Sequence, residues 1–190
     1  MIKGQSVNPI TKNDLNLIFD YLKRKDLIVI LAIVKTALNT GLRISDILNL
    51  TFEDLDNPTL KEKKTQRRKI VTFNSGCTEN FSLLKAYYKK KKIENFDTGF
   101  IFKSLIRPNS HITYQGVNFY MKQIREDLNI EYPFNTHSFR KTWARTVYFQ
   151  FNNDLALVMK ALNHTNPAVT LRYIGIDNDD LNKVYTDIIF

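Results

Sequence analysis

The chain has 190 residues, enough for one domain with a sizeable core, and 43% of them are hydrophobic and 12% aromatic, which excludes a disordered chain. Its 28 basic residues against 19 acidic give a formal charge of +9 and a pI near 9.5, a balance that favours nucleic acid as partner over ordinary solubility charge.

Thr11, with Asp14 three residues on, resembles a capping box, and Leu15, Ile18, Phe19 and Leu22 follow at helical spacing. Leu27 to Leu38 reads as a second, apolar helix that Gly41 would stop, and Ser45 to Leu50 as a short third. The texture then changes. TLKEKKTQRRKIVTF (residues 59–73) has β-forming ends around a charged centre and reads as a basic hairpin, with six basic residues in the nine from Lys61 to Lys69. Helices are expected over Glu79 to Lys91 and Thr113 to Leu128, with a short buried strand at Phe100 to Phe102 between them. Phe139, Trp143, Val147 and Phe151 recur every fourth residue and predict one apolar helical stripe. Asp154 begins a helix through Leu162, and Pro167 suits the first turn of another that carries Val169 to Tyr173. The expected class is mainly α with a small antiparallel β-sheet (α+β).

Several function classes drop out. One cysteine, Cys77, excludes an internal disulfide and suits a reducing cytoplasm. The longest apolar stretch, Leu27 to Val34, is too short to span a membrane, and the start MIKGQSVNPITK lacks the apolar core of a signal peptide. With no CxxC, HExxH, carboxylate cluster or GxxxxGKS/T, no metal, cofactor or small-molecule site is expected.

The chemistry-bearing residues stand in three segments. His137 and Arg140, in HSFRKTWA, sit three apart on one side of a helix near its N-terminus, where free N–H groups favour an anion and Thr136 would be the cap. The blander reading is a capped surface helix. Arg43, in TGLRISD, has Asp46 one turn on to hold its guanidinium, leaving the fork for a phosphate; the alternative is a common surface ion pair. His164, in LNHTNPAVTLRY, precedes Tyr173 by nine residues. A lone Tyr is usually filler and a lone His a structural donor, but two of the three histidines fall in these motifs.

Together GLRISD, HSFR, LNH and a tyrosine nine residues later resemble the catalytic domain of the tyrosine recombinases, the phage-integrase family, from about Asn8 to Tyr173. The family also places a lysine in the hairpin after the first arginine; Lys64, before Thr65, fits best, with Lys63 and Lys69 as rivals. Asn163 stands where glycine is usual, Lys141 where histidine is frequent and Trp143 where phenylalanine is frequent. The resemblance implies the tyrosine recombinase catalytic-domain fold: a single domain over 1–190, with its core at about 8–175 and a tail at 176–190. The family's usual N-terminal DNA-clamping domain would be absent from this chain.

The resemblance further implies a site-specific recombinase in which Tyr173 attacks a DNA phosphodiester, forms a 3′-phosphotyrosyl bond and releases a 5′-hydroxyl, which another strand's 5′-hydroxyl later reverses. Arg43 and Arg140 would hold the non-bridging oxygens and His164 would add a donor. His137 would assist proton removal from the tyrosine, and Lys64 would protonate the leaving oxygen. No cofactor or metal is called for. The partner would be double-stranded DNA in the cytoplasm, at the nucleoid, with the apolar tail joining protomers of a homotetramer or else folding back on its own domain. Rival readings are a type IB topoisomerase, a non-catalytic DNA-binding module and a helical interaction domain.

Overall fold

The computed structural model describes residues 7–56, 59–61, 68–107, 109–175, 182 and 185–187. The first three helices are α1 (Lys12–Arg24), α2 (Ile28–Thr40) and α3 (Ile44–Leu48). Thr11 caps α1 by accepting from the Asp14 N–H, while its own hydroxyl donates to the Asp14 carboxylate at 2.7 Å. Ile18 and Leu22 are buried and Leu15 and Phe19 pack beside them, as their spacing predicts. Gly41 ends α2 in the left-handed conformation, at φ 60°. α2 is apolar almost all round and becomes the central helix, packed against α1, α3, α4 and α6.

The next two helices are α4 (Ser75–Lys90) and α5 (Tyr114–Asp127). α4 starts four residues before its expected Glu79, because the Asn74 side chain accepts from the Cys77 N–H and fixes an earlier start. Thr113 caps α5 in the same way.

The expected α+β class is corrected here. Strand pairing among the described residues amounts to a three-residue ribbon, Thr59–Lys61 against Arg68–Ile70, and two isolated bridges, Thr51 with Phe100 and Lys103 with His111. The buried strand expected at Phe100 to Phe102 is one of those bridges. Ile101 and Phe102 are buried, but as side chains in a helical core. Three-residue segments cannot build a sheet with a face to bury, so no sheet layer forms among the described residues and the class is helical. The centre of the predicted hairpin, residues 62–67, lies outside the described residues.

The last three helices are α6 (Thr136–Gln150), α7 (Leu155–Leu162) and α8 (Pro167–Ile174). The expected single stripe on α6 divides. Phe139 joins the main core, Trp143 and Val147 join a smaller cluster with Ala144, Val158, Leu162 and Tyr173, and Phe151 is exposed. A four-residue step overshoots a 3.6-residue turn by roughly 40°, so residues twelve apart face different neighbours. α6 touches α2 on one side and α7 and α8 on the other. The seam between the main core and the smaller cluster runs along it.

Candidate active site

Arg140 occupies that seam. Its side chain is 1% exposed and is the largest of the fully buried ones. The helix is fixed first at its start: the Asn135 side chain accepts from the His137 N–H at 2.8 Å, and the Ser138 hydroxyl accepts from the Asn135 N–H, a reciprocal cap. Asn135 is thus the cap expected of Thr136, which becomes the first helical residue. His137 lies in the first turn, half-buried, one turn before Arg140. From there the Arg140 guanidinium donates through Nη1 to the Gly41 carbonyl and through Nη2 to the Leu162 carbonyl at 3.0 Å. One side chain therefore ties the end of α2 to the end of α7.

The Gly41 turn also carries Arg43, which caps α3 in extended conformation and is half-buried, with Asp46 buried in the helix's first turn. Only glycine fits at 41. A Cβ there would lie 2.1 Å from Cε3 of Trp143, on a backbone with positive φ. Trp143 is one turn beyond Arg140 on α6, so the same face of that helix locates the turn that presents Arg43.

At the end of α7 the chain reverses at Asn163, whose φ of 59° is left-handed. The His164 N–H donates to the Met159 carbonyl at 2.9 Å and the Asn163 N–H to the Lys160 carbonyl, a Schellman turn. Asn serves where glycine was expected because it tolerates this conformation better than other residues with a side chain. The turn sends His164 toward α8, which Pro167 opens at its first position and the Asn166 side chain caps. The His164 Nδ1 and the Thr170 hydroxyl are hydrogen-bonded at 3.0 Å. Its ring meets the Tyr173 ring edge to face, with centroids 5.0 Å apart. The Arg140 guanidinium carbon and the Lys141 Nζ each lie 5.8 Å from the centre of the Tyr173 ring.

Of the six residues singled out in the sequence, Arg140, His164 and Tyr173 meet directly. Arg43 starts α3 two residues past the carbonyl that Arg140 holds, and His137 sits one turn from Arg140. Lys64 lies outside the described residues. Thr170 was not foreseen, although it stands three before Tyr173 on α8, on the same face, and that spacing was the available signal. Nor was Lys141. It is 7% exposed and donates to the Val7 carbonyl at 2.7 Å, and burial, with the charge of Arg172 second, lowers its pKa. No grouping of three or more His, Cys, Asp or Glu that could hold a metal exists among the described residues. No described helix is long and apolar enough to cross a membrane.

The phage integrase family profile matches residues 8–179. The chain belongs to this family. Among curated relatives it is 32% identical over 152 residues to the probable integrase/recombinase YoeC of Bacillus subtilis, covering 78% of each chain. It is 26% identical over 154 residues to the tyrosine recombinase XerC of Caldanaerobacter subterraneus, covering 80% of this chain but 42% of that one. Among solved structures, the XerA recombinase superposes with a TM-score of 0.73 at 17% identity, over 98% of this chain and 66% of that one. The XerH recombinase, solved with its difH substrate as a post-cleavage complex, gives 0.75 at 21% identity, over 97% and 54%. The tyrosine recombinase catalytic fold is thereby established for this chain, which spans between about half and two thirds of those solved chains.

Proposed function

We propose that this chain is the catalytic unit of a site-specific DNA recombinase that cuts and rejoins strands through a 3′-phosphotyrosyl bond on Tyr173. The observation that carries the reading is the meeting of Tyr173 on α8 with Arg140 on α6 and with His164 in the turn between α7 and α8. The phenolic oxygen attacks phosphorus, and the 5′-oxygen departs. The bond formed matches the bond broken in kind, so its energy is retained for rejoining when a second 5′-hydroxyl attacks. His137 helps remove the phenolic proton, and Lys64 delivers one to the leaving oxygen. Arg43, Arg140 and His164 donate to the non-bridging oxygens, where negative charge grows in the transition state. Because Arg140 already places two N–H donors on Gly41 and Leu162, its role includes holding the other groups in register as well as meeting the phosphate.

The partner in this reading is double-stranded DNA, bound mainly through its phosphates, so affinity falls steeply as salt rises. The working form is a homotetramer on DNA joined through residues 176–190, acting in the cytoplasm at the nucleoid. Removing residues beyond Asp177 should abolish synapsis without lowering the melting temperature, whereas unfolding would place the tail on its own domain.

A nicked suicide duplex, which loses its 5′-hydroxyl fragment and traps the adduct, tests the chemistry. The wild-type chain should give a covalent band that survives EDTA, and Tyr173→Phe should lose it while still shifting DNA. A covalent band from Tyr173→Phe would overturn the assignment. Strand exchange without free relaxation of supercoils separates this reading from a topoisomerase.

A further inference from the structure

The end of α8 is gripped by a residue that the chemistry above leaves unused. Arg145, on α6, donates through Nη1 to the carbonyls of Ile174 and Gly175, the two residues that directly follow Tyr173. The last carbonyls of a helix lack intrahelical partners, and a guanidinium there satisfies them and complements the helix dipole. Arg145 is itself oriented, with its guanidinium carbon 4.9 Å from the centre of the Phe149 ring one turn on. At the same helix end, a Cβ placed on Gly175 would lie 3.3 Å from Pro9. The leading segment is in turn fastened to α6, where the Ile10 N–H donates to the Thr142 hydroxyl at 2.7 Å and Lys141 donates to Val7.

We infer that Arg145 is a positioning residue for the nucleophile: it clamps the backbone just beyond Tyr173 to the helix that carries Arg140, and so fixes where the phenolic oxygen stands relative to that guanidinium. The two arginines are five residues apart on one helix, so the distance from clamp to guanidinium is set by a rigid rod. Tyr173 lies in the last turn of an eight-residue helix, where fraying would otherwise let the phenol wander. The inference rests on Tyr173 being the nucleophile. Arg145 touches no reacting atom in it, and its effect falls on the rate of the cleavage step rather than on DNA affinity.

The test is single-turnover cleavage of the nicked suicide duplex at saturating protein, measured beside the dissociation constant and the melting temperature for wild type, Arg145→Gln and Arg145→Lys. Misplacing a reacting atom by about 1 Å costs up to roughly a hundredfold, so Arg145→Gln should cleave roughly tenfold or more slowly. Its dissociation constant should stay within about threefold of wild type, since a single phosphate contact or none is at stake. Arg145→Lys, which keeps the charge and can reach one carbonyl, should recover part of the rate. Hydrogen exchange at the Ile174 and Gly175 amides should accelerate in Arg145→Gln while that of α7 stays unchanged. Cleavage within about twofold of wild type in both variants would overturn the inference, as would a rate loss matched by the loss in affinity. If Arg145→Gln fails to fold, Arg145→Lys alone decides by the same criterion. Tyr173→Phe runs in parallel: an adduct from that variant defeats the assignment of the nucleophile, whereas a Tyr173-dependent adduct formed at full rate without Arg145 defeats only the clamp.

Discussion

His164 and Tyr173, nine residues apart in the chain, meet edge to face with ring centroids 5.0 Å apart. The contact is built locally. Asn163 turns the chain out of α7, Pro167 starts α8 two residues after Thr165, and the eight-residue α8 brings its last turn back beside the turn that preceded it. The imidazole is held at Nδ1 by Thr170, which fixes the orientation of the ring beside Tyr173.

Replacing Thr170 by Val removes that partner while keeping the volume. The buried hydroxyl's hydrogen bond is worth about 1 kcal/mol, so urea unfolding should register a loss of that order. Cleavage should fall further than stability does, by roughly tenfold, because the imidazole loses the bond that orients it. Single-turnover assays on the nicked duplex would detect this.

Arg140→Lys should damage both fold and chemistry. A lysine ammonium is a point donor and cannot span the Gly41 and Leu162 carbonyls as the planar guanidinium does. A buried carbonyl left without its partner costs about 1–3 kcal/mol. If the residue also meets the phosphate, cleavage should drop by roughly 10²–10³ even where the protein remains folded. Thermal melting and adduct yield, measured on the same preparation, separate the two effects.

Gly41→Ala should be among the most damaging single changes. It places a Cβ at φ 60° and 2.1 Å from the Trp143 ring. The left-handed conformation and the overpacking together cost about 3 kcal/mol or more. Trp143→Leu in the same chain should recover part of the overpacking cost but none of the backbone cost, which a double-mutant cycle by urea melts would resolve.

Cys77 should be inert in the native protein. It is 1% exposed, and burial pushes its thiol up to about 11 from 9.0. A thiol reagent at pH 8 should react slowly with the folded chain and quickly in denaturant, since the thiolate is the reactive form. The linkage has a definite sign. In the folded state the thiol keeps its proton where the unfolded thiol loses it, so the stabilisation is intact below pH 9.0, declines above it, and is gone above about 11. Denaturation midpoints of wild type and Cys77→Ala should converge across that range.

The local grammar of the sequence determined most helices and the family. Thr11, Gly41, Asp154 and Pro167 act within one or two turns, so caps and helix stops suffice to place them. The GLRISD, HSFR and LNH segments with Tyr173 carried the family likewise, because each needs only its own residues and their order. The sheet was misjudged for a related reason. β-forming residues around 59–73 and 100–102 signal extended chain, but whether extended segments become a sheet depends on pairing length and on a partner face, neither of which is local. Tertiary structure alone decided that Arg140 is buried and bonded to carbonyls 99 and 22 residues away in the chain, that Trp143 closes on Gly41, and that Arg145 and Pro9 meet the end of α8. Such contacts depend on how whole helices pack, and packing distributes its energy over many side chains, so no short spacing announces which arginine will face solvent and which will hold the core together.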